Sequence, residues 1–151
     1  MDRLVPSEPE SRRRRVVLGL PAFNEEDGLG ALLEDVAMIA PSVPGIEVLV
    51  VDDGSTDRTG RVARTYTGPL AVRLVTHPRN LGLGAALRTI LKEFAVMATH
   101  EDDVLLTMDS DNSHPPSLIP NMLAVLDIGK DVVIASRFVP GAAVRGLKWQ
   151  R

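Results

Sequence analysis

Two carboxylates one residue apart, Asp109 and Asp111, stand at the end of a short apolar run, Val104 to Met108, in the stretch VLLTMDSDNSHPP. Carboxylates that close repel one another and resist desolvation, and a hard divalent cation with oxygen ligands is the simplest group to sit between them. Asn112, Ser113 and His114 add short polar side chains, and Pro115 and Pro116 stop the strand. The same residues also make a good solvated turn, so the rest of the chain has to decide. Polar side chains directly follow an apolar run at three further places: Asn24 and Glu25 in PAFNEE, Asp52 and Asp53 in VVDDGSTD, and Arg137 in IASRF.

Side chains so far apart in sequence need a scaffold to bring them together. Val16–Leu20, Ile46–Val51, Leu70–Thr76, Val104–Met108 and Asp131–Ala135 read as strands. Between the first two, Leu29, Leu32, Leu33, Val36 and Ile39 recur at helical spacing, with Asn24 placed as N-cap. A second, short helix runs to about Tyr66 with Ser55 as its cap, and a third shows the face Leu83, Leu87, Ile90, Leu91 and Phe94. A fourth starts near Ser117, with Pro120 in its first turn and a face of Leu118, Met122, Val125 and Leu126. Strands alternating with helices predict a parallel α/β sheet, a Rossmann-like three-layer sandwich with right-handed crossovers. Loops that follow the strands of such a sheet emerge at one edge, where ligands bind. The scattered acids and Arg137 are therefore expected to converge.

Composition narrows the classes of function. The chain has 151 residues, 44% of them hydrophobic and 25% charged, which suits one globular domain over residues 16–151. Residues 1–15 read as a disordered basic segment whose four arginines, Arg12 to Arg15, form either a solvated flank or a patch drawn to an anionic membrane. The absence of cysteine excludes disulfides and thiolate metal sites. A net charge of −3 and 3% aromatic residues argue against a nucleic-acid partner. No apolar run approaches the ~20 residues that span a bilayer, and no signal sequence is evident. A cytoplasmic protein, peripheral at most to the inner face of the membrane, is expected.

An acidic crevice repels a bare diphosphate. Mg²⁺ or Mn²⁺ held by Asp109 and Asp111 would reverse the local sign, and the remaining acids could then accept hydrogen bonds from a base or ribose. That is the logic of a nucleoside-diphosphate site. A dinucleotide site is disfavoured, because no G-x-G-x-x-G turn follows the first strand, and Gly82-Leu83-Gly84 lacks the third glycine. His114 reads as a turn residue or a proton carrier, and Trp149 as a partly buried residue or an interfacial anchor.

PAFNEE, VVDDGSTD, NLGLGAA, MDSDNSHPP and IASRF, in that order and spacing, resemble the family 2 glycosyltransferases of GT-A fold, in particular the dolichyl- and polyprenyl-phosphate mannose synthases. The resemblance covers Val16 to Arg151. It implies that Pro21, Phe23 and Glu25 line the nucleoside pocket, that Val51 and Asp52 or Asp53 hold base and ribose, and that Gly82 and Ser110 lie at the donor. Asp109 and Asp111 would carry metal and diphosphate, Arg137 would meet phosphate or sugar, and these three would form the catalytic set. Ser113 stands where the family has a metal-reaching glutamine and is the third metal residue the resemblance implies, its shorter side chain leaving room for a water. The implied reaction is inverting transfer from GDP-mannose or a UDP-sugar to a lipid phosphate. The family's catalytic domain continues past Trp149, which implies a C-terminally truncated form whose sheet edge a homodimer could cover. Two other readings remain at this point: a nucleotide-binding or scaffold module without turnover, and a phosphatase of haloacid dehalogenase type, whose D-x-D also follows an apolar strand.

Overall fold

The computed structural model of the protein describes residues 14–136. Strands β1 (Val16–Ala22), β2 (Ile46–Asp52), β3 (Ala71–Thr76) and β4 (Val104–Thr107) form a sheet in the order β3-β2-β1-β4. Every adjacent pair is parallel, and Val16 lies beside Ile46 on one side and Val104 on the other. The chain moves one way from β1 to β3 and then jumps back across β1 to β4. With right-handed crossovers, this places helices α1 (Leu29–Ile39) and α2 (Thr59–Arg64) on one face and α3 (Leu83–Met97) on the other. The expected three layers are present.

The core follows from the apolar runs. Val16, Leu18, Leu20, Val48 and Val50 are at most 2% exposed on one face of the sheet, and α1 buries the stripe Leu29, Leu32, Leu33 and Val36. Each such side chain is worth roughly 1.5–3 kcal/mol relative to an exposed one. On the other face Val17, Leu49 and Val51 pack with Ala86 and Ile90 of α3. Gly19 makes that approach close, since a Cβ there would collide with Ile90. The buried face of α3 is thus centred on Ala86 and Ile90, and Leu83 and Leu91, expected inside, are 58% and 56% exposed.

Other expectations change in the structure. Residues 131–136 form no strand and pair with no described strand, and Val132 and Ile134 are 75% and 80% exposed. A strand exists through its hydrogen-bonded ladder, and the β-branched residues here have none. The helix expected near Ser117 begins as a 3₁₀ turn, Pro116–Leu118, and continues as α4 (Ile119–Asp127) with its proline in the first turn. Leu118 and Val125 are 42% and 39% exposed, and Ile119 and Leu123 are the buried positions. The chain divides into two compact units, one through Pro116 and one from Ser117, at a point where the sequence shows no boundary.

Arg15 is tied to the neighbouring strands and to α3. Its amide donates to Asp103 Oδ1 at 2.7 Å, and its guanidinium meets Glu47 at 2.9 Å and the Met97 carbonyl. Residues 1–13, with Arg12 and Arg13, lie outside the described residues, as do Arg137 and Trp149. Among the described residues, no helix is long and apolar enough to cross a membrane.

Candidate nucleotide and metal site

The loops after β1 and β2 are laced together by side chains. Asn24 is a left-handed residue, with φ 56°, and its amide donates to Ser55 Oγ at 3.0 Å. Its own Oδ1 accepts from the Thr56 amide at 2.9 Å. The Glu25 amide donates to Thr59 Oγ1 at 2.8 Å, the Thr59 hydroxyl donates to Asp57 Oδ1 at 2.5 Å, and the Glu26 amide donates to Asp57 Oδ2 at 3.1 Å. Glu26 in turn accepts from the Arg58 amide and Nε at 2.8 and 3.0 Å. Asn24 and Ser55 are therefore not helix caps. α1 starts after a turn closed on the Glu25 carbonyl, and α2 starts only at Thr59, so both polar side chains bridge the loops instead. Burial pushes the Asp57 carboxyl up, but hydrogen bonds from Thr59 and Glu26 outweigh it and hold the group below its ordinary range.

The acid pair at the end of β2 splits between the two faces of the sheet. Asp52, 5% exposed, accepts from the Ser55 amide at 2.9 Å through Oδ1, and its Oδ2 faces α2, where a Cβ on Gly60 would stand 2.5 Å away. Asp53, 3% exposed, turns toward α3. Its Oδ1 meets His77 Nδ1 at 2.6 Å and the Leu81 amide at 3.0 Å, and its Oδ2 accepts from the Gly82 amide at 2.7 Å. Burial alone would raise this carboxyl; the bonds from His77, Leu81 and Gly82 together bring it below its ordinary range. Gly54, at φ +70°, brings the two loops into contact, because a Cβ there would strike the backbone of Arg79 and Asn80. Gly82 thus belongs to a loop fixed by Asp53.

The loop after β4 is different in character. Ser110, 3% exposed, donates its hydroxyl to the Pro21 carbonyl at 2.8 Å and so pins this loop to the end of β1. Asn112, with φ 58°, turns the chain. The Ser113 amide donates to Asp111 Oδ1 at 2.9 Å, and hydrogen bonding from Ser113 holds the Asp111 carboxyl low. The Ser113 hydroxyl also meets His114 Nδ1 at 3.0 Å, and that nitrogen lies 3.9 Å from Asp109 Oδ2. The Asp109 side chain is 59% exposed. Glu25 is raised, first by burial and then by the charges of Asp111, Asp57 and Asp109. The loops of Glu25 and Asp111 come together at Gly28, where a Cβ would stand 3.6 Å from the Ser110 carbonyl oxygen and 3.8 Å from Glu25 Oε2.

The structure therefore brings Pro21, Glu25, Asp52, Asp53, Gly82, Asp109, Ser110, Asp111 and Ser113 to the C-terminal edge of the sheet. Phe23, 41% exposed, follows β1 at the same edge. Val51 is fully buried with Ala86 and Ile90, so only its backbone is available there. Glu25, Asp109 and Asp111 form no ion pair with a lysine or arginine among the described residues. Nor do three His, Asp or Glu side chains there close into a metal cage. Two carboxylates of hard oxygen, one of them open to solvent, suit a divalent cation whose remaining ligands come from phosphate and water.

Sequence reasoning passed over His77, Thr59 and Asp57. Each makes side-chain bonds across loops, and such partners have no periodicity to betray them. For His77 a signal existed, as a histidine ending an edge strand next to a strand that ends in two acids.

A parallel sheet with reversed strand order, carrying its polar side chains at the strand C-termini, defines an α/β protein that binds a ligand at that edge. The Glycosyl transferase family 2 model matches residues 18–151, and the chain belongs to that family. It is 35% identical over 140 residues to the polyprenol monophosphomannose synthase of Mycolicibacterium smegmatis, covering 91% of this chain and 51% of that protein. It is 31% identical to the dolichol-phosphate mannosyltransferase of Pyrococcus furiosus, covering 91% of this chain and 37% of that one. Among solved structures, the mannosyltransferase PcManGT of Pyrobaculum calidifontis, in complex with GDP-Man and Mn²⁺, superposes with a TM-score of 0.63 at 30% identity, over 82% of this chain and 34% of that one. The chain thus spans about half the length of the first relative and less of the others. Its fold is GT-A, and family membership sets aside the haloacid dehalogenase reading.

Proposed function

We propose that this chain is the donor-binding part of a metal-dependent inverting glycosyltransferase, which transfers a hexose from GDP-mannose or a UDP-sugar to a polyprenyl phosphate. The observation that carries the reading is the contrast among the acids. Asp52, Asp53 and Asp57 are hydrogen-bonded in place across their loops, whereas Glu25, Asp109 and Asp111 have no lysine or arginine partner among the described residues, and Asp109 and Asp111 raise Glu25 by like charge. Relatives named for sugar transfer to polyprenol and dolichol phosphates, and a neighbour with bound GDP-Man and Mn²⁺, support it.

Asp109 and Asp111 would hold Mg²⁺ or Mn²⁺, with Ser113 orienting Asp111. The bound cation supplies positive charge against the departing diphosphate. Glu25, Pro21 and Phe23 would face the nucleoside. Asp52 and Asp53 shape its floor, and Arg137 would add a cation at the phosphate or sugar. The anomeric carbon's bond to the diphosphate oxygen breaks as an acceptor phosphate oxygen bonds from the opposite face. That oxygen is already ionised near neutral pH, so no strong general base is needed. The reaction belongs at the cytoplasmic face of the membrane, reached by peripheral contact, and a homodimer would cover the sheet edge.

The test is calorimetric titration of GDP-mannose and UDP-sugars with Mn²⁺ or with chelator, followed by assay of sugar transfer to a polyprenyl phosphate. Metal-dependent binding and lipid-linked product are expected. Binding without turnover on any lipid phosphate would leave a nucleotide-binding module, and no binding would remove the donor site altogether.

A further inference from the structure

The buried chain Asp53–His77–Thr89 is engaged in more bonds than a surface turn requires. Asp53 and His77 side chains are 5% and 10% exposed, His77 Nδ1 lies 2.6 Å from Asp53 Oδ1, and His77 Nε2 lies 2.9 Å from Thr89 Oγ1 on α3. A carboxylate only accepts, so Nδ1 carries the proton toward Asp53; in the neutral ring, Nε2 then accepts from the Thr89 hydroxyl. Every polar atom of the ring is used. The carboxylate held in this way takes the Leu81 and Gly82 amides on its two oxygens, immediately before the first residue of α3. Asp53 also anchors its own amide on the Ala22 carbonyl at 2.8 Å, which ties the arrangement to the end of β1.

We propose that His77 and Thr89 are positioning residues: they fix the Asp53 carboxylate so that it holds the Leu81–Gly82 backbone as one wall of the nucleotide crevice. Asp53 is then a scaffold for the loop and makes no direct contact with base or ribose. That the crevice receives a nucleotide rests on the function proposed above, whereas the backbone positioning does not.

The experiment combines amide hydrogen exchange at Leu81 and Gly82, ¹⁵N NMR of the His77 ring, and calorimetry with GDP and UDP in Mn²⁺. It compares the full chain with His77→Leu, His77→Asn, Thr89→Val and Thr89→Ser. His77→Leu should speed exchange at the two amides and weaken nucleotide binding, each about tenfold, the size expected for losing a hydrogen bond to a charged group. His77→Asn keeps a donor near the Nδ1 position and should restore most of both. Thr89→Val, nearly isosteric, should alter the ring ¹⁵N shifts and weaken binding several-fold, and Thr89→Ser should not. If His77→Leu does not fold, Thr89→Val decides. Unchanged exchange in folded Thr89→Val and His77→Leu overturns the proposal, as does faster exchange with undiminished nucleotide affinity. If the wild type binds neither nucleotide, the donor function fails, and amide exchange still decides the positioning role.

Discussion

The acids at the C-terminal edge of the sheet are not all held alike. Asp53 and Asp57 lie below their ordinary pKa because donors from other loops as well as their own surround them. Asp111 is held low mainly by Ser113 beside it, Asp109 stands mostly in solvent with a histidine nitrogen 3.9 Å away, and Glu25, in the β1 loop, is raised by burial and by like charge. Like charges gathered at one edge cost the folded chain unless a cation offsets them. The β2 loop is closed by the chain's own donors, and the function proposed above assigns the acids of the β4 loop to a bound cation.

The strongest test of that division is removal of the open acids. Asp109→Ala with Asp111→Ala should lower Mn²⁺-dependent nucleotide affinity by on the order of a hundredfold or more while leaving thermal stability nearly unchanged. A large loss of stability would show that these acids hold up the fold, and the contrast would collapse.

On the rigid side, the effect should fall on stability. Gly54→Ala forces a side chain into a positive φ and against the Arg79 backbone, and should cost about 2–3 kcal/mol in urea unfolding. Thr59→Val removes the hydroxyl that joins the Glu25 amide to Asp57, with a smaller cost of about 1–2 kcal/mol. Neither loss should depend on Mn²⁺. Rescue of either by the cation would mean that the two regions are one cooperative unit.

The same division explains what could be read from the sequence. β1, β2 and α3 were legible because burial on a parallel sheet writes continuous apolar runs, and a half-buried helix writes a 3.6-residue period. The convergence of Glu25, Asp52, Asp53, Asp109 and Asp111 followed from topology alone. The direction in which each acid points did not: Asp53 turns to His77, 24 residues further on, and Asp52 to α2, and neither choice leaves a periodic trace in the sequence. Asn24 and Ser55 had the right chemistry for caps and found better partners in each other's loop. Asp131–Ala135 had strand composition, but composition supplies no ladder.

The smallest expected effect is the most pointed, because its sign differs between the two regions. Glu25 is raised above its ordinary value of 4.5, so the folded chain holds its proton more tightly than the unfolded one. The stability this contributes is complete below 4.5 and is lost as pH rises through the raised value. Asp53 and Asp57 are lowered from 3.8, so their contribution is present above that value and is lost as pH falls through their depressed ones. Glu25→Gln should therefore stabilise the metal-free chain near neutral pH, by under about 1 kcal/mol, and should flatten the decline in stability above 4.5 while leaving the acid limb unchanged. Urea denaturation from pH 3 to 8 reads both limbs in one series. If Glu25→Gln instead destabilises the chain at neutral pH, its carboxylate has a partner as Asp53 does, and the open half of the site begins only at Asp109.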